Sequence, residues 1–175
     1  MTTSILERFV NFTRASDLQS HYVVNLERAQ LPRLSEAVDD VREIRADFRF
    51  FHDLQGLRTI KGEASCQVSL SCQRCGEPLS LTLKSTFCST PDAQKARSLR
   101  LGDKLDLVET DEEGQFDVLQ YLEDCLLLEL PYAPVHEEGQ CARAGEFWSY
   151  GELDEKAAQS PFAVLGELEL GKDGE

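Results

Sequence analysis

The stretch TIKGEASCQVSLSCQRCGEPLSLTL, residues 59–83, decides the fold of this chain. In its first half, apolar residues occupy the even-numbered positions and polar residues most of the odd-numbered ones, with Gly62 as an interruption. Alternation of this kind is typical of a β-strand with one buried face. The alternation resumes at Leu79, so the sequence predicts two strands joined by a hairpin turn that contains Cys72 and Cys75.

A third alternating run lies upstream, over residues 43–50, where apolar and charged side chains follow one another in turn. The connections HDLQG (52–56) and QRCGEP (73–78) are short. Parallel strands need a crossover of a dozen or more residues, so we expect three antiparallel strands in a meander.

Two helices are expected around this sheet. The shorter is LPRLSEAV, residues 31–38, where a proline suits the first helical position and Leu34, Val38 and Val41 recur at helical spacing. The longer begins after Asp117, which can cap it. Its leucines at positions 119, 122, 126 and 130 share one face until Pro131.

The predicted fold class is therefore α+β. We expect a curved antiparallel β-sheet, a meander that is partly barrel-like, with a long covering helix and a short N-terminal helix. Residues 88–104 read as a mobile connection, followed by a short strand near residues 105–108.

The length of 175 residues suits one ordinary domain with tails. We divide the chain into an N-terminal segment at 1–19, a single α+β domain at 20–145 and an acidic C-terminal arm and tail at 146–175. Trp148, Phe162 and Leu165 are the expected anchors of that arm. The sequence lacks an apolar run of about 18 residues and a signal-peptide pattern, so we expect a cytoplasmic protein without membrane contact.

The net charge of −14 is spread unevenly. Residues 1–100 hold 14 Lys/Arg and 12 Asp/Glu, and residues 101–175 hold 4 and 20, so the two parts carry about +2 and −16. An acidic half repels a phosphate backbone, so direct contact with RNA is possible but not favoured by charge. A basic patch of Arg45, Arg49, Arg58 and Lys61 is expected on the polar strand face, mixed with carboxylates.

The six cysteines are expected to be reduced. Cys66 falls in the apolar phase of its strand and Cys125 lies among leucines, so both are expected in the core. Cys88 is assigned no role.

Cys72 and Cys75 differ, because a Cys-x-x-Cys-Gly turn can aim two sulfurs at one ion. The loop after the long helix offers two further ligand types, His136 and Cys141. A set of three thiolates and one imidazole suits structural zinc. Two alternatives stay open: a plain reduced turn with a surface histidine, and a redox or regulatory thiol pair.

Enzymatic activity is not expected. The chain has no Gly-x-Ser-x-Gly, no glycine-rich phosphate loop and no His-Glu-x-x-His, so no small-molecule substrate is indicated. A thioredoxin-like pair belongs at a helix N-terminus, whereas strands flank this one. The alternative to a non-enzymatic role is a metal-dependent or thiol-redox enzyme that uses the Cys-x-x-Cys.

Three stretches in order, CQRCGEPL, DVLQYLEDCLLLELPYAPVHEEGQC and SPFAVL, closely resemble the YceD family, the large ribosomal RNA subunit accumulation proteins of bacteria. The resemblance covers about residues 22–168. Some relatives carry a second Cys-x-x-Cys where this chain has His136 and Cys141. The residues that match the family's motifs are Cys72, Arg74, Cys75, Leu130, Pro131, Pro134, His136, Cys141, Pro161, Phe162 and Leu165.

The resemblance implies a non-enzymatic factor that supports synthesis, processing or stability of 23S rRNA in large ribosomal subunit biogenesis. It also implies the partner, which is a large-subunit precursor or its basic proteins.

Overall fold

A computed structural model describes residues 6–101, 105–137 and 139–141, and within these ranges the protein is α+β. The strands are β1 (Phe9–Asn11), β2 (His21–Leu26), β3 (Asp40–His52), β4 (Arg58–Ser71), β5 (Pro78–Thr90), β6 (Asp106–Leu107) and β7 (Gln115–Asp117). The helices are α1 (Phe12–Asp17), α2 (Pro32–Ala37), α3 (Ala93–Ser98) and α4 (Val118–Leu128), with a 3-10 turn at Arg28–Gln30. None of the helices in the described ranges combines the length and hydrophobicity that a membrane span requires.

The main sheet has five strands in the order β2-β3-β4-β5-β6. Strands β2 to β5 are antiparallel neighbours, which confirms the predicted meander of β3, β4 and β5. Strand β2 was not predicted, and neither was the parallel pairing of β6 with β5. A second, two-stranded sheet joins β1 to β7.

The barrel-like part of the prediction is corrected to an open sheet, because in the described ranges β2 and β6 form its two separate edges. Only two residue pairs join β6 to β5. Within the described part of the chain, a strand this short leaves most of β5 without a neighbouring strand on that side, so the sheet does not close. The curvature of the sheet remains a prediction.

The inner face of the sheet carries the main core, as the alternation predicts. Phe12, Phe48 and Phe50 are almost completely buried, and the rings of Phe12 and Phe50 meet edge to face at 5.0 Å. Gly62 interrupts the alternation because it lies opposite Phe48 in the register. A Cβ at Gly62 would lie 2.3 Å from the carbonyl oxygen of Asp47, so no side chain fits there.

Helix α4 joins the same core through Leu122 and Leu126, which are fully buried. The predicted cap is confirmed, since the Gln120 N–H donates to the Asp117 carboxylate at 3.0 Å. The helix has 11 residues and ends at Leu128, so it has three turns and is shorter than predicted.

Helix α2 is also shorter than predicted. Val38 is the C-cap residue of α2 and has an extended backbone, and Val41 lies in β3, so each is buried without belonging to the helix. Helices α1 and α3 were not predicted, and α3 corrects the interpretation of residues 88–104 as a mobile connection. The predicted C-terminal arm at 146–175 lies outside the described residues.

Candidate metal centre

Residues 72–77 form the turn between β4 and β5. The Cys72 N–H donates to the Glu77 carbonyl at 2.9 Å, and the Gly76 N–H donates to the Cys72 carbonyl at 2.8 Å. Gly76 has a φ of +78°, a conformation that favours glycine. This closed turn holds Cys72 and Cys75 at the tip of the hairpin.

The loop after α4 lies against this turn. The Gln73 N–H donates to the Pro134 carbonyl at 2.8 Å, which fixes the first part of the loop on the hairpin. Further along, the Gln140 N–H donates to the Glu137 carbonyl at 3.1 Å. The loop therefore brings His136 and Cys141 to the two turn cysteines.

The four predicted ligands lie together, with ligand atoms all within 4.8 Å of one another. The Cys72 and Cys141 sulfurs are 3.9 Å apart. His136 Nδ1 is 3.4 Å from the Cys75 sulfur and 3.9 Å from the Cys141 sulfur. Around a tetrahedral zinc the ligand atoms would be separated by about 3.5–3.8 Å, so this donor set fits the ion.

The outer contacts of His136 orient the imidazole. Its Nε2 lies 3.2 Å from the Pro78 carbonyl oxygen, which accepts a hydrogen bond from a protonated Nε2. With the proton on Nε2, Nδ1 presents its lone pair to the thiols. This is the arrangement that metal-binding histidines usually show.

The electrostatics of the turn favour a thiolate at Cys72. Burial opposes ionisation, but the backbone N–H groups of His136, Cys75 and Arg74 donate to the sulfur and lower its pKa to about 5. The pKa of Cys141 is raised by burial and by the neighbouring sulfurs of Cys72 and Cys75. The centre therefore holds a negative charge that a cation would balance.

The apolar surroundings of the centre are small. Cys72, Leu79 and Cys141 form a buried cluster of their own, with Cys75 and Leu81 packed beside it. Because four protein ligands fill a tetrahedral shell, the set suits a structural ion better than a catalytic one, which keeps a position open.

The other singled-out residues lie elsewhere. Cys66 and Cys125 are buried, as predicted, and burial raises the pKa of each to about 11. Cys88 is half-buried. His21 and His52 form surface pairs with Asp47 at 2.7 Å and Asp17 at 2.8 Å.

The predicted basic patch is mixed with carboxylates. Arg49 lies opposite Lys61 in the sheet register, and the next rung on the same face pairs Asp47 with Glu63. Arg58 is held by Asp92, an ion pair at the end of β4.

The backbone groups that build the centre were not predicted. The carbonyls of Pro78 and Pro134 and the N–H of Gln73 carry no side-chain signal. The alternation of the flanking strands and the Cys-x-x-Cys-Gly spacing predicted the turn itself.

Comparisons with known proteins agree with the three sequence motifs. The family model described as "Large ribosomal RNA subunit accumulation protein YceD" matches residues 60–169. A protein of that name from Haemophilus influenzae is 34% identical over 158 residues, which cover 89% of this chain and 88% of the relative. No solved structure matches the chain. Because the family model spans more than half of the chain and the relative almost all of it, the chain belongs to the YceD family.

Proposed function

We propose that this protein is a non-enzymatic factor that supports synthesis, processing or stability of 23S rRNA during biogenesis of the large ribosomal subunit. Membership of the YceD family carries the proposal, because the matching relative is named for accumulation of large-subunit rRNA. The proposed partner is a precursor of the large subunit or its basic proteins. On this proposal the protein acts in the cytoplasm, together with that precursor.

The proposed role of the metal centre is structural. Zinc at Cys72, Cys75, His136 and Cys141 would join the β4–β5 turn to the loop after α4, and it would supply cohesion that the small apolar cluster there lacks. Burial of Cys72 supports this role over that of a Cys72–Cys75 redox pair, because a redox thiol needs access to its partner.

Deletion of the gene tests the proposed function. We expect a lower ratio of mature 23S to 16S rRNA and fewer large subunits relative to small ones, measured by sucrose-gradient profiles and rRNA quantification. Wild-type protein supplied from a plasmid is the control and restores both. Unchanged profiles in the deletion strain would contradict the proposed function.

A further inference from the structure

The end of the molecule that holds the metal centre also presents exposed apolar side chains. Tyr132 is fully exposed, Leu128 is 86% exposed and Val135 is 42% exposed. All three lie between the end of α4 and His136. Exposed apolar side chains that form one contiguous surface mark interaction sites, and these three lie within residues 128–135.

These side chains stand on a fixed backbone. The Gln73 side-chain amide donates to the Tyr132 carbonyl at 3.4 Å, and the Gln73 backbone N–H donates to Pro134. A surface that is ordered before binding loses little conformational entropy when a partner docks.

Carboxylates are found in the same segment and on the turn that faces it. Glu129 and Glu137 lie in the same segment, Glu77 lies on the facing turn, and all three are exposed. Within the described ranges, none of the three forms an ion pair. The chain has no lysine or arginine between Lys104 and Arg143, and in the described ranges Arg74 lies on the turn that holds Cys72 and Cys75.

We infer that Leu128, Tyr132 and Val135, with Glu77, Glu129 and Glu137, form a docking surface for a lysine- and arginine-rich protein segment that also carries an apolar side chain. We call these six residues the docking end. The inference rests on the proposed function, because the partners it names are the basic proteins of the large subunit.

Charge selects this occupant over two others. A phosphate backbone would meet the unpaired carboxylates of the docking end and be repelled. A second copy of the chain would bring together two molecules that each carry a net charge of −14. A basic protein segment is attracted at long range and can then bury the exposed tyrosine and leucine.

The test uses the full-length protein, immobilised, and the RNA-free protein mixture extracted from purified large ribosomal subunits as the probe. We expect wild type to retain a reproducible subset of basic proteins, and L128A/Y132A to lower that retention at least tenfold. The matched control is Leu54→Ala, because Leu54 is fully exposed in the β3–β4 loop, and it should retain as much as wild type. Undiminished retention by L128A/Y132A overturns the inference.

A second pair of variants tests the charge. E129Q/E137Q should lower retention several-fold and weaken its dependence on salt, whereas E112Q/E113Q, in an exposed acidic loop before β7, should leave both unchanged. If both pairs lowered retention equally, the basic proteins would be attracted by the net charge alone. That result would overturn the docking end. All variants change exposed side chains, and matching thermal unfolding curves establish that each is folded.

Two further measurements exclude the other occupants. A 23S rRNA fragment that binds wild type and loses binding in L128A/Y132A would make RNA the occupant, against the inference. If sedimentation shows a dimer of wild type that L128A/Y132A converts to a monomer, a second copy would be the occupant, which also contradicts the inference.

Rescue of the deletion strain separates the two proposals. If wild type restores 23S rRNA and L128A/Y132A restores it equally well, the docking end is wrong and the proposed function stands. If the deletion strain has normal subunits but retention still depends on Tyr132, the proposed function is wrong and the docking end stands.

Discussion

Cys66 and Cys72 occupy the same apolar phase of one alternating run, and both are almost fully buried, at 1% and 2% exposure. Their pKa values nevertheless move in opposite directions. Burial among apolar side chains raises the pKa of Cys66 to about 11, whereas backbone donors at the turn overcome burial and lower that of Cys72 to about 5. Burial alone therefore does not determine the pKa of a thiol, because polar groups that donate to the sulfur can outweigh it.

The two cysteines belong to two regions that are stabilised differently. Cys66 lies in the main core, which combines residues from β2, β3, β4, β5 and α4 with several aromatic rings. Cys72 lies in a small cluster at the hairpin turn with few apolar neighbours. We expect the main core to hold the fold without a metal, and the turn to depend on its ligands.

The largest expected effect is that of Phe50→Ala. The ring is fully buried against Phe12 and Phe116, so its removal leaves a cavity and should lower the free energy of unfolding by about 3–5 kcal/mol. Chemical denaturation measures this loss, and the metal content of the folded protein should not change.

The control is Phe51→Ala in the same strand. Phe51 is half-buried on the other face, where it stacks with Arg49 at 5.0 Å, and its loss should cost less than about 1 kcal/mol. If Phe51→Ala cost as much as Phe50→Ala, the main core would not be the stabilising region that the burial indicates.

A smaller and more local effect is expected from Cys75→Ser or from chelation. Loss of one ligand should lower the stability by about 2 kcal/mol and speed hydrogen exchange in residues 72–79 and 131–141, with β3 and β4 still protected. Cys88→Ser, which changes a half-buried thiol outside the centre, is the control.

Elemental analysis of protein purified without a metal-affinity tag should give about one zinc per chain. Less than about 0.2 equivalents of zinc would contradict the metal centre, and Cys75→Ser should then lower the stability only slightly.

The last expected effect is the pH dependence of the metal-free protein. Because the pKa of Cys72 is lowered to about 5 from an ordinary 9.0, the stability that its thiolate contributes is full above pH 9 and is lost as the pH falls towards 5. The stability contributed by Cys66 changes with pH in the opposite direction, since its pKa is raised and the contribution is lost as the pH rises through about 11. Vibrational spectra of the S–H stretch measure the titration of Cys72 when wild type is compared with Cys72→Ser, and that of Cys66 when wild type is compared with Cys66→Ser. An S–H signal from Cys72 at pH 7 in the metal-free protein would contradict this difference.

Much of the sheet could be predicted from the sequence, because β3, β4 and β5 each bury one face and the alternation of apolar residues records this. Strand β2 buries only Val24 and Leu26, which is too weak a pattern to recognise. Strand β6 has two residues, and its parallel pairing depends on the path of the chain through α3. A helix as short as α1 is stabilised by tertiary contacts, not by its own sequence.

The candidate site divides in the same way. The long helix was expected to lay its leucine face on the sheet and to end at Pro131, near the hairpin turn. This topology and the ligand types predicted that Cys72, Cys75, His136 and Cys141 lie close together, and the structure brings them together. The tautomer of His136 and the ionisation of Cys72 depend on backbone groups, which every residue possesses. No pattern of side chains could therefore predict them.

Because Cys72 and Cys141 are 69 residues apart in the chain, we expect the two parts of the centre to form in order. The turn between β4 and β5 is local and can form early, whereas the contact with Cys141 must wait until α4 has docked on the sheet. During synthesis the turn cysteines leave the ribosome well before His136 and Cys141. A nascent chain that stops before His136 has only two of the four ligands, so only a chain that extends through Cys141 can close the centre.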